Sequence, residues 1–112
     1  MRTKLKVKSK VWLEKNGKIV FGPGKAGILS RIQRTDSINK AAQELNMSYR
    51  HAWSYIKSAE KRLGRALVVC TKGGVGGGNT KLTPYAKELL KKFFDLEYQI
   101  KISVDKIYKK IF

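Results

Sequence analysis

The stretch Ser37-Ile-Asn-Lys-Ala-Ala-Gln-Glu-Leu-Asn-Met-Ser-Tyr-Arg-His-Ala-Trp53 carries the strongest structural signal in this sequence. Apolar residues recur at helical spacing on both sides of Asn46-Met47, which predicts helices over 38–45 and 49–63 joined by a tight turn. Side-chain oxygens of Asp36 and Ser37 can cap the first of these helices, and Ser48 can cap the second. This arrangement predicts a helix-turn-helix. The apolar sets expected to face the core are Ile38, Ala41, Ala42 and Leu45, and Ala52, Trp53, Ile56, Ala59 and Leu63.

The later helix, 49–63, has a polar outward face in its N-terminal half. In helix-turn-helix proteins this helix enters the major groove of DNA. Arg50 is placed to contact guanine, and His51 or Ser54 to reach base edges or phosphates. An ordinary helical hairpin with a solvated face is the alternative interpretation. The residues expected at DNA in this unit are Ser37, Ser48, Tyr49, Arg50, His51, Ser54, Lys57, Ser58 and Lys61.

Two elements precede this unit. Residues 4–14 alternate between apolar and lysine side chains, and Asn16-Gly17 is a strong hairpin signal, so we predict a β-hairpin over 4–22. In that hairpin Leu13 would face Val20 and Trp12 would face Phe21. A helix over 25–34 follows, and it completes a three-helix core over 25–64, which ends at a glycine suited to a helix C-terminus.

A glycine-rich hairpin follows the core. Residues 67–70 and 80–82 have strand character, and the glycines between them allow the backbone to approach DNA closely, so 67–83 is predicted to be a wing. A nucleotide-phosphate loop is disfavoured because no Lys-Ser/Thr pair follows the glycines. A loop without any contact is the other alternative. The wing residues expected at DNA are Lys72, Gly74, Gly76, Asn79 and Lys81.

The last element is a long helix over 83–110, with Thr83 as its cap and Pro84 at its first position. Its apolar residues repeat at steps of three and four, as in a coiled-coil seam. We therefore expect it to pair with the same helix of a second chain, giving a two-fold dimer. Docking on the chain's own N-terminal hairpin is the alternative. The seam residues are Leu89, Phe93, Leu96, Ile100, Val104 and Ile107.

Charge agrees with a nucleic-acid partner. Lys and Arg number 25 against eight Asp and Glu, which gives a formal net charge of +17. Residues 1–82 carry +14 of this charge and residues 83–112 only +3. An excess of this size favours a polyanion, and together with the helix-turn-helix it indicates double-stranded DNA.

Composition disfavours other classes of protein. Cys70 and His51 are single residues of their types, so we expect neither a disulfide within the chain nor a metal site, and no cofactor. The sparse carboxylates form no catalytic set, so an enzyme is not expected. No apolar run is long enough for a transmembrane helix, and the basic N-terminus lacks a signal-peptide pattern. We expect a cytoplasmic, nucleoid-associated protein of a bacterium or an archaeon, without a membrane partner.

Residues 37–83 resemble the DNA-binding domain shared by LysR-type regulators and ModE-type molybdate-responsive repressors. Two stretches resemble the ModE type in particular: 47–53, and the glycines 73–78 followed by 82–85. The hairpin over 11–17 resembles short archaeal and clostridial relatives. The resemblance implies dimerisation through flanking helices. Its wider pattern consists of Ser37-Ile38, Ala41-Ala42, Leu45, Ser48, Ile56, Glu60, Leu63-Gly64, Leu67 and Leu82-Thr83.

The sequence departs from the ModE type at two points. ModE-type repressors continue into molybdate-binding domains, whereas this sequence stops at Phe112, so molybdate is not expected as a ligand. Cys70 stands where the family tends to hold a basic residue, so that phosphate contact is not carried over.

The combined prediction is a single α+β domain, mostly α, spanning 1–112: a winged helix-turn-helix with an N-terminal β-hairpin and a C-terminal dimerisation helix. The predicted function is sequence-specific DNA binding as a dimeric transcriptional regulator. One alternative is an abundant, chromatin-like architectural protein, which would hardly distinguish a promoter from random duplex. An RNA-binding protein is another, but it would need exposed aromatic residues on a sheet, and only Trp12 and Phe21 approach that pattern.

Overall fold

A computed structural model describes residues 4–71 and 79–112. Helices dominate it, and two small antiparallel sheets, each of two strands, complete an α+β fold of the predicted winged helix-turn-helix type. The elements are β1 (Leu13–Lys15), β2 (Lys18–Phe21), α1 (Pro23–Thr35), α2 (Ile38–Glu44), α3 (Tyr49–Leu63), β3 (Val68–Cys70), β4 (Thr80–Leu82) and α4 (Pro84–Ile111).

Side-chain caps set the starts of three helices. Ser37 accepts a hydrogen bond from the Lys40 amide at 3.0 Å, and Ser48 accepts one from the His51 amide at 3.0 Å. Thr83 caps α4 in the same way, with the Ala86 amide at 3.1 Å. Each cap satisfies an amide that has no partner within its helix, so the predicted caps at these three positions are confirmed.

The boundary between α1 and α2 corrects one prediction. Asp36 does not cap α2; it is the C-cap of α1, with a left-handed φ of 58° and its amide donating to the Ile32 carbonyl at 2.7 Å. The helix α1 also begins at Pro23, two residues earlier than predicted. Proline suits a first helical position because it lacks an amide hydrogen that would have no partner there.

The core lies where the first three helices meet β2, the wing strands and the start of α4. The rings of Phe21 and Phe93 meet edge to face at 5.1 Å, which fastens the N-terminal hairpin to α4. Ala41, Ala52 and Ala59 are fully buried, so small side chains allow the helices to approach closely. The prediction that Trp53 belongs to the core is wrong, because this side chain is 42% exposed.

The N-terminal segment also differs from its prediction. Only Leu13–Lys15 pairs as a strand; residues 4–12 have no regular structure, and those from Leu5 to Val11 follow α4. The Tyr108 hydroxyl donates to the Leu5 carbonyl at 3.2 Å. An alternating segment needs one apolar surface, and the side of α4 supplies it in place of a second strand.

The register of the hairpin is shifted as well. Leu13 pairs with Phe21, not Val20, because a bulge separates Leu13 from Glu14. Trp12 therefore lies outside the ladder, and its indole donates to Glu14 at 2.8 Å.

The wing strands pair in the register Val68–Leu82 and Cys70–Thr80. Their base is joined to the helices, since the Thr80 amide donates to the Asp36 carbonyl at 2.9 Å and the Thr83 amide to the Leu67 carbonyl at 3.0 Å. The predicted contacts Lys72, Gly74 and Gly76 lie outside the described residues.

The helix α4 is unbroken over its 28 residues, a length of about 42 Å. Its first third is part of the core: Ala86, Leu90 and Phe93 are buried. Phe93 is only 1% exposed, so it does not offer a surface to a second chain as the predicted seam required. Among the described residues, no helix combines the length and apolar character needed to cross a membrane.

Candidate nucleic-acid interface

The outward face of α3 brings together six of the predicted DNA contacts, namely Ser48, Arg50, His51, Ser54, Ser58 and Lys61. Its core stripe is narrow, because only Ala52, Ile56 and Ala59 are buried. At about 100° per residue, Arg50, Ser54 and Lys61 fall on the side opposite this stripe. A shallow, open depression on this side is lined by Ser48, Arg50, His51, Ser54, Tyr55 and Ser58.

Two of the predicted polar residues have structural tasks as well. The hydroxyls of Ser37 and Ser48 accept hydrogen bonds from the first turns of α2 and α3. The amides at these helix starts carry the positive end of the helix dipole. Tyr49, by contrast, is half exposed at the start of α3.

Lys57 lies on the flank of α3 that faces the wing. Its ammonium group is 3.0 Å from a carboxylate oxygen of Glu60 and 5.5 Å from the centre of the Trp53 ring. Both contacts compete with a phosphate for this charge. Trp53 itself is an exposed aromatic residue beside the polar face, although helical periodicity alone assigned it to the core.

Glu60 joins the wing to α3. Its carboxylate accepts hydrogen bonds from the amides of Leu67 at 2.7 Å and Val68 at 3.3 Å. Burial acting alone would raise the pKa of Glu60, but these two amides and the Lys57 ammonium stabilise the ionised form, so the pKa lies below its usual value. The charged carboxylate thus holds the wing against α3.

The second wing strand is held from the other side. The Lys81 ammonium is 2.8 Å from the Asp36 carboxylate at the corner between α1 and α2. Lys81 stays largely exposed, so its charge is shared between this corner and the solvent. Near it, the Asn79 carbonyl accepts hydrogen bonds from both the amide and the hydroxyl of Thr71.

These contacts leave the positive charge of the domain largely unopposed. Each of the four acidic residues before α4 has a partner within the chain: Glu14 bonds Trp12, Asp36 pairs with Lys81, Glu44 with Arg31 and Arg34, and Glu60 with Lys57. Arg50, Lys61 and Lys40 have no ion pair among the described residues, and all three are exposed. Arg50 and Lys61 on α3 and Lys40 on α2 are therefore among the cations that remain available to a polyanion.

The opposite flank of α3 faces α1 and the hairpin, and the sequence patterns did not point to it. The Tyr55 ring lies under the Lys25 ammonium, 4.2 Å from ring centre to nitrogen. Arg62 donates to the Ile19 carbonyl at 2.7 Å and so ties α3 to β2. A cleft of about 370 Å³ lies here, lined by Tyr55, Lys25 and Lys10 together with the first turn of α1.

Within residues 4–71 and 79–112, no three His, Cys, Asp or Glu side chains gather in a way that could hold a metal ion. His51 instead meets the Tyr55 ring edge to face at 5.9 Å. The geometry is that of a polar, cationic surface suited to binding a polyanion.

Comparison with known proteins agrees with this geometry. Residues 26–87 match the family described as bacterial regulatory helix-turn-helix protein, lysR family. The chain is 43% identical over 70 residues to the molybdenum transport protein ModE of Herbaspirillum seropedicae, covering 62% of this chain and 26% of that protein. It is 39% identical over 79 residues to the transcriptional regulator ModE of Haemophilus influenzae, covering 70% and 31%.

A third relative is the DNA-binding transcriptional dual regulator ModE of Escherichia coli, with 32% identity over 83 residues, 74% of this chain and 31% of that protein. The chain thus spans about a quarter to a third of the length of these curated relatives. Among solved structures, ArgP from Mycobacterium tuberculosis superposes with a TM-score of 0.53 at 22% identity, covering 82% of this chain and 31% of that one. This likeness supports the fold. The similarity to ModE proteins predicted from residues 37–83 is confirmed.

Proposed function

Because the chain belongs to the lysR family of bacterial regulatory helix-turn-helix proteins, in a ModE-like form, we propose that it binds double-stranded DNA sequence-specifically as a dimeric transcriptional regulator. The recognition helix is α3, which enters the major groove of each half-site. The wing contacts the DNA beside it.

The observation that carries this proposal is the outward face of α3. Ser48 caps the helix, and Arg50, His51 and Ser54 stand exposed in its first turns. A capped helix with exposed donors near its N-terminus fits the major groove, where Arg pairs with the two acceptors of guanine. Short hydroxyl side chains at Ser54 and Ser58 let the helix approach the base edges.

The dimer is supported by the part of α4 that extends past the core. Leu96, Ile107 and Ile111 are exposed, and Ile100 and Val104 are half-buried. At about 100° per residue these five side chains fall on one stripe. The N-terminal segment lies along a neighbouring stripe, which includes Phe94, Tyr98 and Lys101 and meets the first stripe at Val104. Docking of the N-terminal segment and pairing with a second chain are therefore compatible.

The net charge of +17 favours one other function, that of an architectural protein binding DNA without regard to sequence. Such a protein uses phosphate contacts almost alone. The two functions differ in their specificity ratio, because a regulator binds its own site typically 10³–10⁷ times more tightly than other duplexes, as an order of magnitude.

The test begins with selection of bound sequences from random duplex DNA, followed by affinities of Arg50→Ala for the selected site and for a scrambled duplex. We expect a loss of about 1–3 kcal/mol on the selected site and relaxed preference at one base pair. Lys91→Ala, on the exposed side of α4, is the control for a change of one charge. It should leave the ratio of affinities for the selected and the scrambled duplex unchanged. Equal losses of Arg50→Ala on both duplexes would contradict sequence reading by α3 and favour the architectural function.

A further inference from the structure

We propose that the first turn of α1, with Lys25 and Lys10, forms a binding site for a phosphate group, and that its occupant is a DNA backbone phosphate beside the segment contacted by α3. The inference rests on the proposed function. It adds a contact on the side of the recognition helix away from the wing.

The central observation is the burial of Lys25. It is only 8% exposed, and no carboxylate or carbonyl among the described residues accepts from its ammonium group. Its contact is the Tyr55 ring, 4.2 Å away. The side chain of Lys25 is thus largely removed from water without an anionic partner, and a charge in such a setting is ordinarily paired in proteins. Lys25 lines the cleft beside the first turn of α1, so an anion entering this cleft would supply the missing partner.

The backbone around Lys25 presents donors to the same cleft. Gly22, the residue before α1, provides no side-chain cap, and the first turn holds no acidic residue. Pro23 has no amide hydrogen. The next two amides, those of Gly24 and Lys25, have no hydrogen-bond acceptor within the described residues. Such amides, with the positive end of the helix dipole, bind phosphate groups.

Further cations stand nearby. Lys10 lines the cleft and is exposed. Burial lowers the pKa of Lys25, and the positive charge of Arg62 lowers it further. A lysine at the start of a helix also opposes the helix dipole. Burial, the charge of Arg62 and the helix dipole all disfavour the charged form of Lys25, and a bound anion would offset each of them.

The position of the cleft points to DNA as the source of that anion. Tyr55 lines both this cleft and the depression on the outward face of α3, so the two concave surfaces adjoin at this residue. Glu60, which holds the wing, lies on the other flank of α3. Gly24 suits this close arrangement, since a side chain there would meet the Tyr55 hydroxyl at 3.1 Å. The recognition helix is thus bordered on one side by the wing and on the other by the cationic cleft.

The experiment compares Lys25→Met, Lys10→Met and Lys106→Met. The first two remove a charge at the cleft, and the third is the matched control, because Lys106 is exposed on the side of α4 away from the N-terminal segment and the apolar stripe. Affinity for the selected and the scrambled duplex is measured at several salt concentrations. Circular dichroism verifies folding, and Lys10→Met, a change at an exposed residue, remains informative if Lys25→Met does not fold.

For Lys25→Met and Lys10→Met we expect weaker binding by the same factor on both duplexes, with a salt slope smaller by about one per subunit. Neutral methylphosphonate linkages are then placed one at a time along the selected duplex. At one linkage outside the α3 contacts, neutralisation should weaken DNA binding by the unmodified protein but should not weaken binding by Lys25→Met any further. The neutral linkage and the substitution would remove the same contact.

Equal salt slopes for Lys25→Met, Lys10→Met and Lys106→Met would overturn this inference while leaving the proposed function intact. Absence of duplex binding by the unmodified protein would instead refute the proposed function itself. Inorganic phosphate distinguishes the source of the anion. If it gives saturable shifts of the Gly24 and Lys25 amide resonances while Lys25→Met leaves duplex binding unchanged, the site takes a free anion and the assignment to DNA is wrong.

Discussion

Replacement of Glu60 by alanine should destabilise the protein by about 2–3 kcal/mol. The carboxylate accepts a short hydrogen bond from the Leu67 amide and a longer one from the Val68 amide. Hydrogen bonds to charged groups contribute about 1.5–3 kcal/mol each. The first of them counts nearly in full, because Leu67 is 1% exposed and water cannot replace the lost partner. Loss of the ion pair with Lys57 adds about 0.3–0.5 kcal/mol at most, as for other pairs on a helix surface.

Glu60→Gln is the matched control, since its amide oxygen can still accept from Leu67 while the charge is absent. Urea unfolding is followed at one fixed protein concentration, because dimer formation would make stability depend on concentration. We expect a lower midpoint with an unchanged slope for Glu60→Ala, and a smaller shift for Glu60→Gln. A change below about 0.5 kcal/mol for Glu60→Ala, the usual range for surface substitutions, would refute the role of Glu60 as the clamp of the wing.

The pH dependence has a definite sign. The pKa of Glu60 in the folded protein is below its ordinary value of 4.5, so its stabilisation is fully present above pH 4.5 and is lost as the pH falls through the folded value. The stability difference between the unmodified protein and Glu60→Gln should therefore shrink under acid.

Three further predictions concern the dimer and DNA. The double variant Leu96→Glu, Ile107→Glu should be a folded monomer in sedimentation experiments, because both side chains are exposed within one chain but would be buried in the pair. Lys106→Glu, on another side of α4, is the control and should stay dimeric. A dimer of the double variant would disprove the seam. Binding to the selected duplex should weaken with salt at a log–log slope of roughly −6 to −10 for a dimer, and a flat response would remove the electrostatic basis of binding. Lys81→Ala should weaken binding to all duplexes alike, whereas Asp36→Asn should strengthen binding because it frees the Lys81 charge. Titrations of the selected and the scrambled duplex test this. A loss of sequence preference in Lys81→Ala would contradict a phosphate contact.

Local signals predicted the helices well. Ser37, Ser48 and Thr83 each cap a helix where the sequence places a hydroxyl before an apolar repeat. Gly64 ends α3 at a φ of 72°, which a residue with a side chain rarely adopts. These features depend on neighbours within four residues, so a single sequence contains the information. The exposed polar face of α3 was predictable for the same reason.

Features that depend on distant partners were not predictable. The alternation of residues 4–11 is satisfied by α4, about a hundred residues away, and an isolated pattern of period two does not reveal whether a strand or a helix is its neighbour. Trp53 has a helical spacing suited to the core, but the alanines beside it leave room for only a narrow stripe. Lys25 is buried beside Tyr55, which is 30 residues away in sequence; the available signal was a helix start without an acidic residue.

In the proposed dimer, the continuity of α4 would set the spacing between the two half-sites of the operator. Phe93 is fixed in the core of its own domain, and Ile107 lies 14 residues further along the same helix, a rise of about 21 Å. Distance and rotation between the two recognition helices of a pair would then follow from helix length alone. Insertion of seven residues after Leu96 would move the stripe outward by about 10 Å while nearly keeping its direction, whereas one inserted residue would turn it by about 100°. Changes in the length of this helix would therefore select operators with different half-site spacing without any change in the residues that contact bases.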